Sequence, residues 1–122
     1  MNDVKGRRRV LIVEDEPALR LSYERHFKPR YDLIFASTGA EALARLAEVR
    51  PDVAVLDMRL PDTDGVELLR RIRITQPGLP VIITTAYVSI EPQLKVLDLP
   101  HSGYIVKPFR LDELGARIDA LL

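Results

Sequence analysis

Three carboxylates and one ammonium stand at the ends of apolar runs in this sequence, at Glu14, Asp15, Asp57 and Lys107. Oxygen ligands without histidine or cysteine favour a hard cation such as Mg²⁺, which binds one or two carboxylates and keeps some of its waters. A carboxylate can also attack phosphorus and form an aspartyl phosphate. The phosphoryl oxygens must then be neutralised, and a metal ion, an ammonium and a hydroxyl can do this. These residue types therefore indicate phosphoryl chemistry at a divalent cation.

The apolar runs that precede these residues predict strands, because short unbroken runs bounded by turns are typical of strands buried on both faces. The predicted strands cover residues 10–13, 31–35, 53–57, 80–85 and 104–106. Helical patterns cover residues 18–27, 40–47, 65–73, 89–97 and 111–122. This alternation predicts an α/β fold with parallel strands, right-handed crossovers and helices on both faces.

Local signals mark where two of these helices begin. Pro17 suits the first position of a helix, and we expect Glu16 to act as its N-cap. Thr38, followed three residues later by Glu41, predicts a capping box at the start of the second helix.

The carboxyl ends of parallel strands meet at one edge of a sheet, where ligands bind. If the first, third, fourth and fifth strands are neighbours, the acidic residues and Lys107 converge there. The fourth strand adds a hydroxyl, from Thr84 or Thr85. Strand pleating predicts that these two threonines face opposite sides of the sheet.

Composition narrows the class of protein. The 122 residues are 47% hydrophobic and 30% charged, with a net charge of zero, so no overall basic surface indicates nucleic acid. The absence of cysteine excludes thiol chemistry and disulfides and fits a reducing cytoplasm. No apolar run approaches the roughly 18 residues of a membrane span. We expect one cytoplasmic domain over residues 1–122, with residues 1–8 as a flexible lead-in.

The chain resembles the receiver domain of two-component response regulators over essentially its whole length. Four motifs carry the resemblance, in this order: Val13-Glu14-Asp15-Glu16, Leu56-Asp57-Met58-Arg59-Leu60-Pro61-Asp62-Thr63-Asp64-Gly65, Thr84-Thr85-Ala86 and Tyr104-Ile105-Val106-Lys107-Pro108-Phe109. It implies a flavodoxin-like doubly wound (βα)5 fold with a five-stranded parallel sheet of order 2-1-3-4-5. It also implies a signalling module, rather than a turnover enzyme, that is phosphorylated by a histidine kinase or a phosphotransfer protein.

The resemblance assigns roles to individual residues. Asp57 is similar to the phosphoacceptor, and Lys107 to the lysine that contacts the phosphoryl group. The ligands of Mg²⁺ or Mn²⁺ would be Asp15, Asp57, the backbone carbonyl of Arg59 and, largely through water, Glu14. The Lys107–Pro108 peptide bond corresponds to one that is cis in the family.

The resemblance also implies a conformational switch. Thr85, which precedes Ala86, would move toward the phosphoryl oxygens, and Tyr104 would turn inward into the vacated space. The face formed by the fourth predicted helix, the fifth strand and the fifth helix would then bind an output partner or output domain. The resemblance gives this domain no direct role in binding nucleic acid or membrane, and it leaves homodimerisation open.

Two departures from the family pattern stand near the chemistry. Arg59 and Tyr87 are large residues at positions that tune acyl-phosphate hydrolysis in the family, so we expect a long-lived phosphorylated state. Pro92 and Pro100 flank the fourth predicted helix, so we expect that helix to be short or mobile, with rapid amide exchange over residues 90–100.

Three alternatives to a phosphorylated receiver stay open at this point. A degenerate receiver would bind its partner constitutively, although the intact acidic set and Lys107 argue against it. An aspartyl phosphatase would place a second aspartate where this chain has Arg59. A flavin-binding protein of the same fold would need a phosphate loop, and the acidic residues 14–16 would repel phosphate. His26 and His101 could accept a phosphoryl group or bind a metal, but neither lies in a recognisable pattern.

Overall fold

The computed structural model describes residues 6–86 and 102–122, which contain five strands and four helices. The strands are β1 (Arg9–Val13), β2 (Asp32–Ala36), β3 (Val53–Asp57), β4 (Val81–Thr85) and β5 (Ser102–Val106). The helices are α1 (Pro17–Phe27), α2 (Gly39–Glu48), α3 (Gly65–Thr75) and the C-terminal helix (Leu111–Leu121). The predicted helix over residues 89–97, Tyr87 and His101 lie outside the described residues.

The five strands form one parallel sheet of order β2-β1-β3-β4-β5, which confirms the predicted fold. The register aligns the carboxyl ends of the strands at one edge. Val13 at the end of β1 is paired with Leu56, and Asp57 at the end of β3 is paired with Thr84. Residues that follow β1 and β3 therefore emerge side by side.

Two hydrophobic cores cover the two faces of the sheet. One lies under α1 and the C-terminal helix and includes Tyr23, Phe27, Leu114 and Ile118, all at most 1% exposed. The other lies under α2 and α3 and includes Ala42, Leu46, Leu68, Leu69 and Ile72. Burial of apolar area contributes about 25 cal/mol per Å² to stability, and these two layers bury both faces of the sheet.

Side chains cap two of the helices. The hydroxyl of Thr38 accepts a hydrogen bond from the backbone N–H of Glu41 at 3.0 Å, and the carboxylate of Glu41 accepts one from the N–H of Ser37 at 2.6 Å. The predicted capping pair is therefore present, although the return bond reaches Ser37 rather than Thr38. Asp64 caps α3 by accepting from the N–H of Glu67 at 2.8 Å.

One local prediction is wrong, and the bounds of several elements differ from the predicted ones by one or two residues. Glu16 occupies the N-cap position of α1, but its side chain makes no capping hydrogen bond; the preferred caps are shorter side chains, whose oxygens sit closer to the free N–H groups. The second strand begins at Asp32 rather than Tyr31, because the backbone N–H of Tyr31 donates to the carbonyl of Phe27 at 2.9 Å, at the end of α1. None of the helices within residues 6–86 and 102–122 is long and apolar enough to cross a membrane.

Candidate functional site

The carboxyl edge of the sheet carries a cluster of three carboxylates. Asp57 is the last residue of β3 and is 7% exposed, and Glu14, directly after β1, is 2% exposed. Asp15 is exposed. One carboxylate oxygen from each of these residues lies within 4.8 Å of the other two. The strand register thus brings together residues that are up to 43 positions apart in the chain.

Lys107 supplies the positive charge of this cluster. Its Nζ atom lies 3.1 Å from Oδ1 of Asp57 and 4.0 Å from Oε1 of Glu14. The backbone holds it in place, because the N–H of Lys107 donates to the carbonyl of Thr85 at 2.7 Å. The following Lys107–Pro108 bond is cis.

The burial of Glu14 changes its acid–base behaviour. Burial is the main cause that raises the pKa of Glu14 to about 7, and the charge of Asp57 raises it further. The backbone N–H of Glu16, which donates to Oε2 of Glu14 at 3.1 Å, and the ammonium of Lys107 act in the opposite direction. A positive charge bound beside Glu14 would therefore favour its ionised form.

Tyr23 on α1 lies beneath the same cluster. Burial, and then the charges of Glu14 and Asp57, raise the pKa of Tyr23 well above its ordinary value. The periodicity of the first helix places Tyr23 on the buried face, but its position under the carboxylates depends on how α1 packs, which the sequence pattern does not contain.

The donor set fits a divalent cation. Oε1 of Glu14 is buried and accepts no hydrogen bond from the part of the protein that the structure describes. A buried acceptor without a hydrogen bond is costly, and a cation or one of its waters would satisfy it. The ligands available are oxygens only, which suits Mg²⁺ or Mn²⁺. Arg59, whose carbonyl is the further predicted ligand, lines the same open pocket as the three carboxylates and Lys107.

A short, tightly bonded loop follows Asp57 and carries Arg59. The N–H of Met58 donates to the carbonyl of Thr84 at 2.8 Å, and the N–H of Gly65 donates to the carbonyl of Met58 at 2.8 Å. A Cβ atom at Gly65 would lie 3.0 Å from the carbonyl oxygen of Asp57. Glycine is therefore favoured at this position, because α3 approaches the end of β3 closely.

Neither of the predicted switch residues lines this pocket. Thr85 is 1% exposed at the end of β4, while the neighbouring Ala86 lines the pocket. Tyr104 is half-buried and packs against the core under α2 and α3. The alternation of β4 places Thr84 on the opposite face of the sheet from Thr85, on the side of α1.

His26 is separate from the carboxylate cluster. Its Nε2 atom lies 3.4 Å from Oδ1 of Asp112 on the C-terminal helix, and its ring packs edge-on against Phe27. Neither partner lines the pocket around Asp57.

The comparisons with known proteins agree on one family. The family model described as the response regulator receiver domain matches residues 10–119. The chain is 42% identical over 115 residues to the response regulator MprA of Mycobacterium leprae (strain TN), and 41% identical over 115 residues to that of Mycobacterium avium (strain 104). Each match covers 93% of this chain and 50% of the relative, so the chain spans about half the length of the curated relatives it matches.

Bacterial response regulators of known structure share this fold. The response regulator TrrA of Thermotoga maritima, solved in complex with Mg²⁺ and BeF, matches with a TM-score of 0.82 and 32% identity, over 94% of this chain and 99% of that one. The chemotaxis response regulator CheY4 of Vibrio cholerae matches with a TM-score of 0.85 and 26% identity, over 95% of this chain and 99% of that one.

Proposed function

The chain belongs to the response regulator receiver domain family, and we propose that Asp57 is its phosphoacceptor in a two-component signalling system. The observation that carries the proposal is the ammonium of Lys107, 3.1 Å from Oδ1 of Asp57, within a cluster of three carboxylates. A carboxylate nucleophile on a rigid strand, beside a cation and open to a pocket, suits attack on phosphorus.

The site is proposed to use Mg²⁺ or Mn²⁺. Asp15, Asp57 and the backbone carbonyl of Arg59 would hold the ion directly, and Glu14 would hold it largely through water. When bound, the ion neutralises the phosphoryl oxygens during transfer. Oε1 of Glu14, which accepts no hydrogen bond within the described residues, supports this proposal, as does the Mg²⁺ and BeF complex of the similar TrrA.

The proposed donor is a phosphohistidine of a sensor histidine kinase or a phosphotransfer protein. A carboxylate oxygen of Asp57 forms the new O–P bond while the P–N bond breaks, and the leaving imidazole takes up a proton. Lys107 neutralises charge on the phosphoryl group from beside Asp57. The phosphoryl group stays on the protein until hydrolysis, so the chain acts as a signalling module rather than as a turnover enzyme.

Phosphorylation is proposed to act through Thr85 and Tyr104. The hydroxyl of Thr85 would move toward the phosphoryl oxygens, and the ring of Tyr104 would turn inward into the space that this movement leaves. Both residues lie on the face of the sheet covered by α2 and α3, on the adjacent strands β4 and β5. This shared face supports a coupling between them.

The proposed output surface is formed by the predicted helix over residues 89–97, β5 and the C-terminal helix. A partner protein or an output domain of the natural protein would bind there, and a second copy of this chain is a further candidate. We propose a cytoplasmic location, a single receiver domain with residues 1–8 as a lead-in, and no direct contact of this domain with nucleic acid or membrane.

Phosphoramidate tests the phosphoacceptor proposal, because its P–N bond stands in for that of phosphohistidine. Wild type and Asp57→Asn are incubated with this donor and Mg²⁺, and the peptide that carries the phosphoryl group is identified. The proposal predicts modification of the peptide containing Asp57 in the wild type alone. Equal modification of Asp57→Asn would contradict it.

A further inference from the structure

The side chain of Asp62 attaches the loop that carries Arg59 to the start of α2. Its Oδ1 accepts a hydrogen bond from the N–H of Gly39 at 2.8 Å, and its Oδ2 accepts one from the N–H of Ala40 at 2.9 Å. Both carboxylate oxygens are thus used, on two consecutive amides of another element. These two bonds lower the pKa of Asp62, which keeps the carboxylate ionised.

The attachment fits the start of α2 closely. The first N–H groups of a helix have no partner within the helix and carry partial positive charge. The hydroxyl of Thr38, directly before α2, accepts a hydrogen bond from the N–H of Glu41. Asp62 accepts hydrogen bonds from the two preceding N–H groups, those of Gly39 and Ala40. These two bonds form only when the loop after β3 is docked on α2.

The loop after β3 and the start of α2 also approach each other closely at Gly39. A Cβ atom at Gly39 would lie 2.6 Å from Cγ2 of Thr63, a separation at which one of the two must move. Gly39 is buried. The absence of a side chain at Gly39 therefore lets Thr63 and Asp62 approach the helix start.

The docked residues are rigidly connected to Arg59. The N–H of Leu60 donates to the carbonyl of Thr63 at 3.0 Å across the turn that contains Asp62. Arg59 forms an antiparallel bridge with Asp64. This narrow hairpin links Asp62 to the backbone of Arg59, whereas Asp57 lies within the sheet.

We infer that Asp62 is a positioning residue that orients the backbone carbonyl of Arg59 toward the cation site by docking the loop on α2. This inference rests on the proposed function, because it takes that carbonyl as a ligand of Mg²⁺. Residues that orient a ligand without touching the ion commonly change metal affinity by about 10- to 100-fold when they are removed. For one exposed carboxylate we expect the lower end of that range, a loss of about tenfold in Mg²⁺ affinity.

The test measures Mg²⁺ binding alone, by titrating the unphosphorylated protein and following backbone amide NMR signals of the site. Asp62→Ala removes both acceptors, and Asp62→Asn keeps one of them. The inference predicts about tenfold weaker Mg²⁺ binding for the first variant and an intermediate loss for the second. Wild-type affinity in Asp62→Ala would overturn it.

A matched control separates positioning from general stability. Asp52→Ala removes another carboxylate that accepts a backbone N–H, that of Arg9 at 2.8 Å, at the far end of the sheet. This control is expected to keep wild-type Mg²⁺ affinity. A loss in the control equal to that of Asp62→Ala would overturn the positioning role.

A rescue experiment approaches the same contact from the helix. Gly39→Ala is expected to push Thr63 away and to weaken Mg²⁺ binding, and Thr63→Ser in the same chain removes the clashing Cγ2 and restores the affinity. Absence of rescue would contradict the inference. The proposed function fails separately, if the wild type binds Mg²⁺ yet Asp57 takes no phosphoryl group from a small donor.

Discussion

The ammonium of Lys107 lies 3.1 Å from Oδ1 of Asp57, at the ends of two strands that are separated in the sheet by β4. The same ammonium lies 4.0 Å from Oε1 of Glu14. One ammonium group therefore forms ion pairs with two buried carboxylates. This arrangement stabilises the cluster only in part, and it leaves the site able to accept further positive charge.

Replacement of Lys107 by alanine should destabilise the protein when Mg²⁺ is absent. Loss of one partner of a fully buried ion pair costs roughly 3–5 kcal/mol, but Lys107 is 30% exposed, so we expect about 1–2 kcal/mol. Urea unfolding with a chelator measures this loss, and Mg²⁺ should restore part of it. Lys28→Ala, at an exposed site, is the control, and an equal loss there would contradict the assignment.

The burial of Glu14 predicts a pH dependence of stability. A carboxylate whose pKa is raised by folding stabilises the native state below about pH 4.5, and this contribution is lost as the pH rises toward 7. With chelator present, Glu14→Gln should therefore gain stability relative to wild type between pH 5 and pH 8, by about 2 kcal/mol. Urea midpoints at the two pH values measure the gain.

Glu24→Gln on the exposed side of α1 is the matched control for Glu14→Gln. Between the two pH values, Glu14→Gln should gain more stability relative to wild type than this control does. A pH-independent difference between Glu14→Gln and wild type would show that folding does not raise the pKa of Glu14.

The start of α2 gives a prediction that is independent of the chemistry. The hydroxyl of Thr38 accepts from the N–H of Glu41 at 3.0 Å, and removal of such a cap typically costs about 1 kcal/mol. Thr38→Ala should lower the free energy of unfolding by that amount, whereas Thr38→Ser should retain most of it. Equal stability of the alanine and serine variants would contradict the capping role.

Two large residues are predicted to prolong the phosphorylated state, Arg59 and Tyr87. Arg59 lines the pocket at Asp57, and Tyr87 lies outside the described residues. The double variant Arg59→Ala, Tyr87→Gly should lose its phosphoryl group severalfold faster, because water then reaches phosphorus with less obstruction. The loss of label from the phosphorylated protein measures the rate. An unchanged half-life would rule out this explanation.

The sequence predicts the architecture of the site because the ends of the strands can be identified from the ends of apolar runs. The apolar run that ends at Asp57 marks a strand terminus, and the parallel topology brings Glu14 and Lys107 to the same edge. Both features follow from the hydrophobic periodicity and the apolar runs of short sequence segments. The capping contact of Thr38 is local as well, and its presence confirms that prediction.

Contacts between distant elements were not predictable in the same way. Asp62 and Gly39 are 23 residues apart, and their hydrogen bond depends on how a loop packs on a helix. The position of Tyr23 beneath the carboxylates depends on the packing of α1. Glu16 stands at the N-cap position of α1 but makes no capping hydrogen bond, because its side chain is longer than those of the preferred caps.

The most direct test of the central claim is the intact mass of the protein after incubation with acetyl phosphate. Wild type and Asp57→Asn are compared, each with Mg²⁺ and with chelator. A gain of one phosphoryl group, about 80 Da, is predicted only for the wild type with Mg²⁺. No gain in a folded wild type that binds Mg²⁺ would contradict phosphorylation of Asp57 and would favour constitutive binding of a partner by the unmodified domain.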